Sequence, residues 1–153
     1  MDYQLKGRLA YVSAGAHGIG EAIADLLTQE GAEVIVADAD AEVLGQKAGK
    51  WRGTVAADLA TAAGVEKATS YALEQFGRAP DILINNLGVG NSMPFEDISD
   101  ETWAQSFQVN LMGTVRTCRA LVPKMAARGQ GSVVNTGSDL AKQPEPGFME
   151  GLR

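Results

Sequence analysis

Three glycines in the stretch Ser13-Ala14-Gly15-Ala16-His17-Gly18-Ile19-Gly20 are spaced to bring the backbone close to an anion. Glycine permits a tight turn without a Cβ in the way, and a helix opening near Ile19 would aim its first unpaired amides and a partial positive charge at a phosphate. Asp38, twenty residues beyond Gly18, adds a carboxylate that can accept hydrogen bonds from ribose hydroxyls and repel a 2′-phosphate. Together they suit a dinucleotide. The order Gly-x-x-Gly-x-Gly differs from the commonest fingerprint, which would place a glycine where Ile23 stands.

Those residues need a strand before them and a helix after. Residues 9–12 are an apolar strand, and Ala22, Ile23, Leu26 and Leu27 then recur at helical spacing up to Gly31, a left-handed cap. Residues 33–37 form a β-branched run suited to a strand covered on both faces, so the unit is a right-handed βαβ crossover. Asp40 caps a short helix reaching about Lys47, and residues 54–57 form a third strand ending at Asp58. Thr61 opens a helix in which Val65, Ala68, Ala72, Leu73 and Phe76 share a face, closed by Gly77. Residues 81–85 are a fourth strand and 86–99 a polar loop. One long helix is expected over 100–128, its apolar face carrying Trp103, Phe107, Leu111, Val115, Cys118, Val122 and Met125, with Pro123 bending it. Residues 132–136 make a fifth strand. Alternating strands and helices over residues 1–153 give a single α/β domain with a doubly wound parallel sheet.

Composition narrows the partners. The 153 residues are 45% hydrophobic and 21% charged, ordinary for a globular domain, and the net charge of -6 argues against nucleic acid. Cys118 is the single cysteine, so no internal disulfide forms, and no Cys/His cluster suggests a metal. No signal sequence or membrane-length apolar run stands out, which points to a cytosolic protein without membrane contact.

Several motifs make the chain resemble the first part of a classical short-chain dehydrogenase/reductase. The family's loop is Thr-Gly-x-x-x-Gly-x-Gly; here Ser13 replaces Thr, Ala14 replaces the first Gly, and Gly18-Ile19-Gly20 is intact. Asp38 stands at the ribose-selecting position, Asp58-Leu59 where the family holds adenine, and Asn85-Asn86-Leu87-Gly88 matches Asn-Asn-Ala-Gly with one change. Asn110 and Ser138 match the family's catalytic asparagine and serine. The resemblance implies a Rossmann-type sheet with Ser13, Gly15, His17, Gly18, Ile19, Gly20, Asp38, Asp58, Leu59, Asn86, Leu87 and Gly88 at the cofactor. It also implies hydride transfer between a nicotinamide and a small alcohol or carbonyl substrate, and it allows a homo-oligomer. Because neither His17 nor Ala39 carries a permanent positive charge, NAD is expected over NADP.

In that family Asn110 would hold a water of the proton relay and Ser138 would hydrogen-bond the substrate oxygen. A tyrosine follows the serine by thirteen residues, with a lysine four further on; the first position is Gly151 here and the second lies past Arg153. The resemblance therefore implies a chain truncated after its fifth strand, inactive alone, and marginal or self-associating because that strand becomes an exposed edge. A non-catalytic dinucleotide-binding or interaction module and an inactive truncated product are the alternatives.

Overall fold

The strand that leads into the glycine loop, β1 (Leu9–Ser13), is buried at every residue and lies in the middle of a five-stranded parallel sheet. A computed structural model describes residues 3–90 and 92–143. Its strand order is β3-β2-β1-β4-β5, with β2 at Glu33–Asp38, β3 at Gly53–Ala56, β4 at Ile82–Asn85 and β5 at Ser132–Asn135. Tyr11 stands level with Ile35 on one side and Leu83 on the other.

Because side chains alternate across a strand, the sheet presents two apolar faces, and each is covered by helices. On one face Tyr11, Ile35, Val55 and Leu83 pack with Val65, Ala68 and Ala72 of α3 (Ala62–Phe76) and with Leu121 and Met125 of α5 (Gly113–Ala127). On the other, Ala10, Val12, Val34, Val36 and Ile84 pack with Ala24 of α1 (Gly18–Gln29), Leu44 of α2 (Ala41–Gln46) and Trp51. The doubly wound sheet expected from the sequence is thus present. The helix ends also follow their residues: Asp40 accepts from the Val43 amide, Thr61 from Gly64, and Gly77 closes α3 at φ +69°.

The expected helix over 100–128 runs without a gap from Asp100 to Ala127, as α4 (Asp100–Phe107), a π-turn at Gln108–Met112 and α5. The apolar face differs accordingly. Phe107 and Leu111 are 57% and 49% exposed, whereas the buried line runs through Ser106, Val109, Gly113, Thr117, Leu121 and Met125. A π-turn takes an extra residue into one turn, so the residues before it are rotated relative to those after it. Spacing by three and four cannot register that rotation. Pro123 sits inside α5 without ending it. β5 lies at the sheet edge, with Val133 and Val134 41% and 49% exposed.

Candidate functional site

The sheet order reverses direction between β1 and β4, and at such a switch point a crevice opens beyond the carboxyl ends of the strands. Nearly every residue singled out from the sequence lies along that edge. Ser13 ends β1, Asp38 ends β2, Asn86 to Gly88 follow β4, and Ser138 lies just past β5.

The glycine loop is shaped by its neighbours. Ala14 has φ +50°, so the position where the resembling loops carry glycine keeps a left-handed backbone with an alanine in it. Gly20 is required by close approach: a Cβ there would fall 2.1 Å from the Ala14 carbonyl oxygen and 2.7 Å from Asn86 Nδ2. At Gly15 a Cβ would meet Val36 Cγ1 at 2.8 Å. Gly18, at φ +52°, faces nothing within 4 Å, so open space lies above the start of α1. His17 is the N-cap of α1 and makes no side-chain cap, in contrast to the capped starts of α2, α3 and α4. The first amides of α1 are therefore left for another acceptor. Ile19, in that first turn, is 65% exposed.

Polar side chains bolt the strand ends together behind this loop. The buried Ser13 hydroxyl accepts from the Asn86 and Leu87 amides at 2.9 and 3.3 Å and donates to the Ile84 carbonyl at 3.3 Å. It is occupied in joining β1 to β4. Asn86 donates to the Ala14 carbonyl at 3.1 Å and accepts from the Thr136 hydroxyl at 3.0 Å, while Asn85 donates to Asn135 at 2.9 Å and to Cys118 Sγ at 3.3 Å. Thr136 was invisible as a site residue in the sequence, since only the parallel pairing of β4 and β5 brings it beside Asn86.

Asp38 is half-buried, and each of its oxygens accepts one backbone amide at 3.0 Å, from Ala16 and from Asp40. A carboxylate offers about four lone-pair directions, so each oxygen keeps one for a ribose hydroxyl. His17 Nε2 lies 3.0 Å from Asp40 Oδ2 at the exposed rim. The Asp40 carboxyl is held below its ordinary range, chiefly by the Val43 amide and then by His17. Lys47 donates to the Ala16 carbonyl at 2.6 Å and pairs with Glu21 at 2.6 Å. Sequence reading missed both, because nothing local says that α2 returns to the loop.

The remaining candidates divide. Asp58 accepts from the Ala60 amide at 3.0 Å in the turn after β3. Leu59, placed at adenine by the resemblance, is 3% exposed, and its side chain belongs to the core beneath α5. Leu87 is partly buried against that core. Asn110 sits in the π-turn between the buried Val109 and the exposed Leu111 and bonds Val89 at both ends of its amide, accepting at 2.7 Å and donating at 2.9 Å. Ser138 caps the short 3-10 turn Asp139–Ala141 by accepting from the Leu140 amide at 3.2 Å. Gly151, the position of the family's tyrosine, lies outside the described residues. Among the described residues no cluster of three His, Cys, Asp or Glu could hold a metal, and no helix is long and apolar enough to cross a membrane.

A glycine turn at the switch point, opening an uncapped helix beside an acid at the end of β2, is the arrangement that dinucleotide-binding sheets share. The family model for short chain dehydrogenases matches residues 8–150. The chain belongs to that family. It is 37% identical over 147 residues to D-threitol dehydrogenase of Mycolicibacterium smegmatis, covering 92% of this chain and 56% of that one. It is 36% identical over 140 residues to D-beta-hydroxybutyrate dehydrogenase of Cupriavidus necator, covering 88% and 54%. Among solved structures, L-sorbose reductase of Gluconobacter frateurii, complexed with NADPH and L-sorbose, superposes with a TM-score of 0.92 at 33% identity, covering 98% of this chain and 59% of that one. The 3-ketoacyl-(acyl-carrier-protein) reductase of Brucella melitensis, complexed with NADH, gives 0.88 at 31% identity, covering 95% and 63%. This member of the short-chain dehydrogenases thus spans little more than half the length of the relatives it matches. One neighbour holds NADPH and another NADH, so the family assigns a nicotinamide dinucleotide without choosing between the two forms.

Proposed function

We propose that this short-chain dehydrogenase chain binds NAD in the crevice over β1 and β4, as the cofactor-holding part of an oxidoreductase acting on a small alcohol or carbonyl. The observation that carries the reading is the open space at Gly18 above uncapped amides, with Asp38 fixed beside it by two backbone bonds. The pyrophosphate would lie on the amides of Gly18, Ile19 and Gly20, and the adenosine ribose would reach the free lone pairs of Asp38. A 2′-phosphate would meet that carboxylate and the neighbouring Asp40, which favours NAD over NADP.

Bound nicotinamide would supply or accept the hydride. This chain's own contribution is to hold and orient it. Asn86 and Ser13 keep the loop and β4 in register, and Asn110 fixes the backbone at Val89, on the loop that follows β4. By resemblance Asn110 belongs to the water relay and Ser138 to the substrate oxygen. A second reading, a dinucleotide-binding module without turnover, is favoured by Gly151 at the tyrosine position. Backbone amide NMR separates binding from its absence. NAD should shift the resonances of Gly18, Ile19, Gly20 and Ala16 first, and shifts confined to other strands' ends would overturn the site. Alcohol-dependent NADH formation by the purified chain would overturn the module reading.

A further inference from the structure

The backbone of Ala16 is gripped from two directions. Its N–H donates to Asp38 Oδ2 at 3.0 Å, and its carbonyl accepts from Lys47 Nζ at 2.6 Å. Ala16 itself is fully buried, so these bonds decide which way the loop faces. Lys47 reaches in from α2, thirty-one positions away in sequence, and is only 23% exposed at its side chain. A second partner fixes it: Glu21 in the first turn of α1 lies 2.6 Å from Nζ. Glu21 also takes Lys50 at 2.8 Å, and Lys50 continues to Asp25 at 2.8 Å. The Glu21 carboxyl is held down to about 2, chiefly by hydrogen bonds from Lys47 and then Lys50. One ammonium therefore connects α2, the loop and the first turn of α1, the three pieces that border the adenosine end of the crevice.

We propose that Lys47 is a positioning residue for the adenosine half of the dinucleotide, setting the glycine loop against Asp38 without touching the ligand. The inference rests on the reading of the crevice as the NAD site. Its geometry assigns the two lysines different tasks. Lys47 bonds the loop carbonyl and Lys50 does not, although both pair with Glu21. A charged hydrogen bond is stronger than a neutral one, so losing it at a loop that must stay in place should be felt in binding.

The test is calorimetric titration of the 153-residue chain with NAD, 5′-ADP and nicotinamide mononucleotide, using wild type, Lys47→Met, Lys47→Arg and Lys50→Met. Lys47→Met should weaken NAD and 5′-ADP by about tenfold, with nicotinamide mononucleotide unchanged. Lys47→Arg, which keeps a charged donor, should recover most of the loss, and Lys50→Met should bind as wild type. Equal binding by Lys47→Met and wild type would overturn the proposal. So would equal weakening in Lys47→Met and Lys50→Met, which would mark a general ion-pair effect on α1. If wild type binds none of the three ligands, the reading of the crevice fails instead, and the two failures are distinct.

Discussion

Asn110 holds Val89 by both ends of its side-chain amide, accepting the Val89 N–H at 2.7 Å and donating to the Val89 carbonyl at 2.9 Å. A π-turn residue thereby fixes the loop that leaves β4. The structural tie and the place in a water relay implied by the family are compatible, because a rigid amide is what a relay would need.

Asn110→Ala should remove both bonds. Two partly exposed hydrogen bonds are worth about 1–2 kcal/mol together. The change should appear as a lower urea midpoint at constant m-value, with the Val89 amide losing hydrogen-exchange protection ahead of the β1 amides. Unchanged protection at Val89 would contradict the tie.

The turn at residues 14–20 gives two opposite expectations. Gly20→Ala drives a methyl to 2.1 Å from the Ala14 carbonyl oxygen, so overpacking should cost about 1–3 kcal/mol or more. Ala14→Gly relieves a left-handed alanine at φ +50° and should stabilise by about 1 kcal/mol, raising Tm by about 2–4 °C. A lower Tm for Ala14→Gly would show that the alanine methyl contributes packing that outweighs its backbone strain.

The sequence was most informative where one local signal decides the outcome. The run 33–37, buried on both faces, could only be an inner parallel strand, and Thr61 and Gly77 marked the ends of α3. That Ser13, Asp38, Asn86 and Ser138 stand at or just past the carboxyl ends of strands was legible for the same reason, since strand ends and turn residues identify such positions. What stayed hidden depended on distant partners. The π-turn rotates Phe107 and Leu111 into solvent although their spacing matches a buried stripe. The side chain of Leu59 is drawn into the core beneath Gly113, where a Cβ would sit 2.8 Å from the Leu59 carbonyl oxygen, and nothing local marks that contact. Lys47 carries no mark at all until α2 folds back over the loop.

Tyr11 offers a test of the core. Its hydroxyl is buried without a partner among the described residues, and burial pushes the phenol well above its ordinary value. Removing an unpaired buried hydroxyl while keeping the ring should be neutral or stabilising, by up to about 1 kcal/mol for Tyr11→Phe. Destabilisation on chemical denaturation would mean that the hydroxyl has a bridging partner.

Asp81, 4% exposed, is the centre of an ion cluster at the amino ends of the strands. Burial works to raise its pKa, but Arg78 at 2.8 and 3.0 Å, the Leu9 amide at 2.9 Å and Arg128 at 2.9 Å outweigh this and hold it far below the usual carboxylate range. A carboxyl depressed on folding contributes stability that is complete above its unfolded pKa and is lost as pH falls toward the folded value. Stability should therefore decline from about pH 5 downward, with the steepest loss below pH 4. Asp81→Asn leaves part-exposed arginines that water can reach, so it should cost about 1.5–3 kcal/mol at pH 7 and flatten that acid limb. An equally steep acid limb in Asp81→Asn would assign the effect to other carboxylates.

Whether the glycine turn and Asp38 hold a dinucleotide that lacks a 2′-phosphate is read by calorimetric titration with NAD and NADP. NAD should bind saturably, NADP should be weaker by about tenfold or more, and the gap should narrow in Asp38→Ala, where the repelling carboxylate is gone. No binding of either dinucleotide, or a preference for NADP that survives Asp38→Ala, would contradict it.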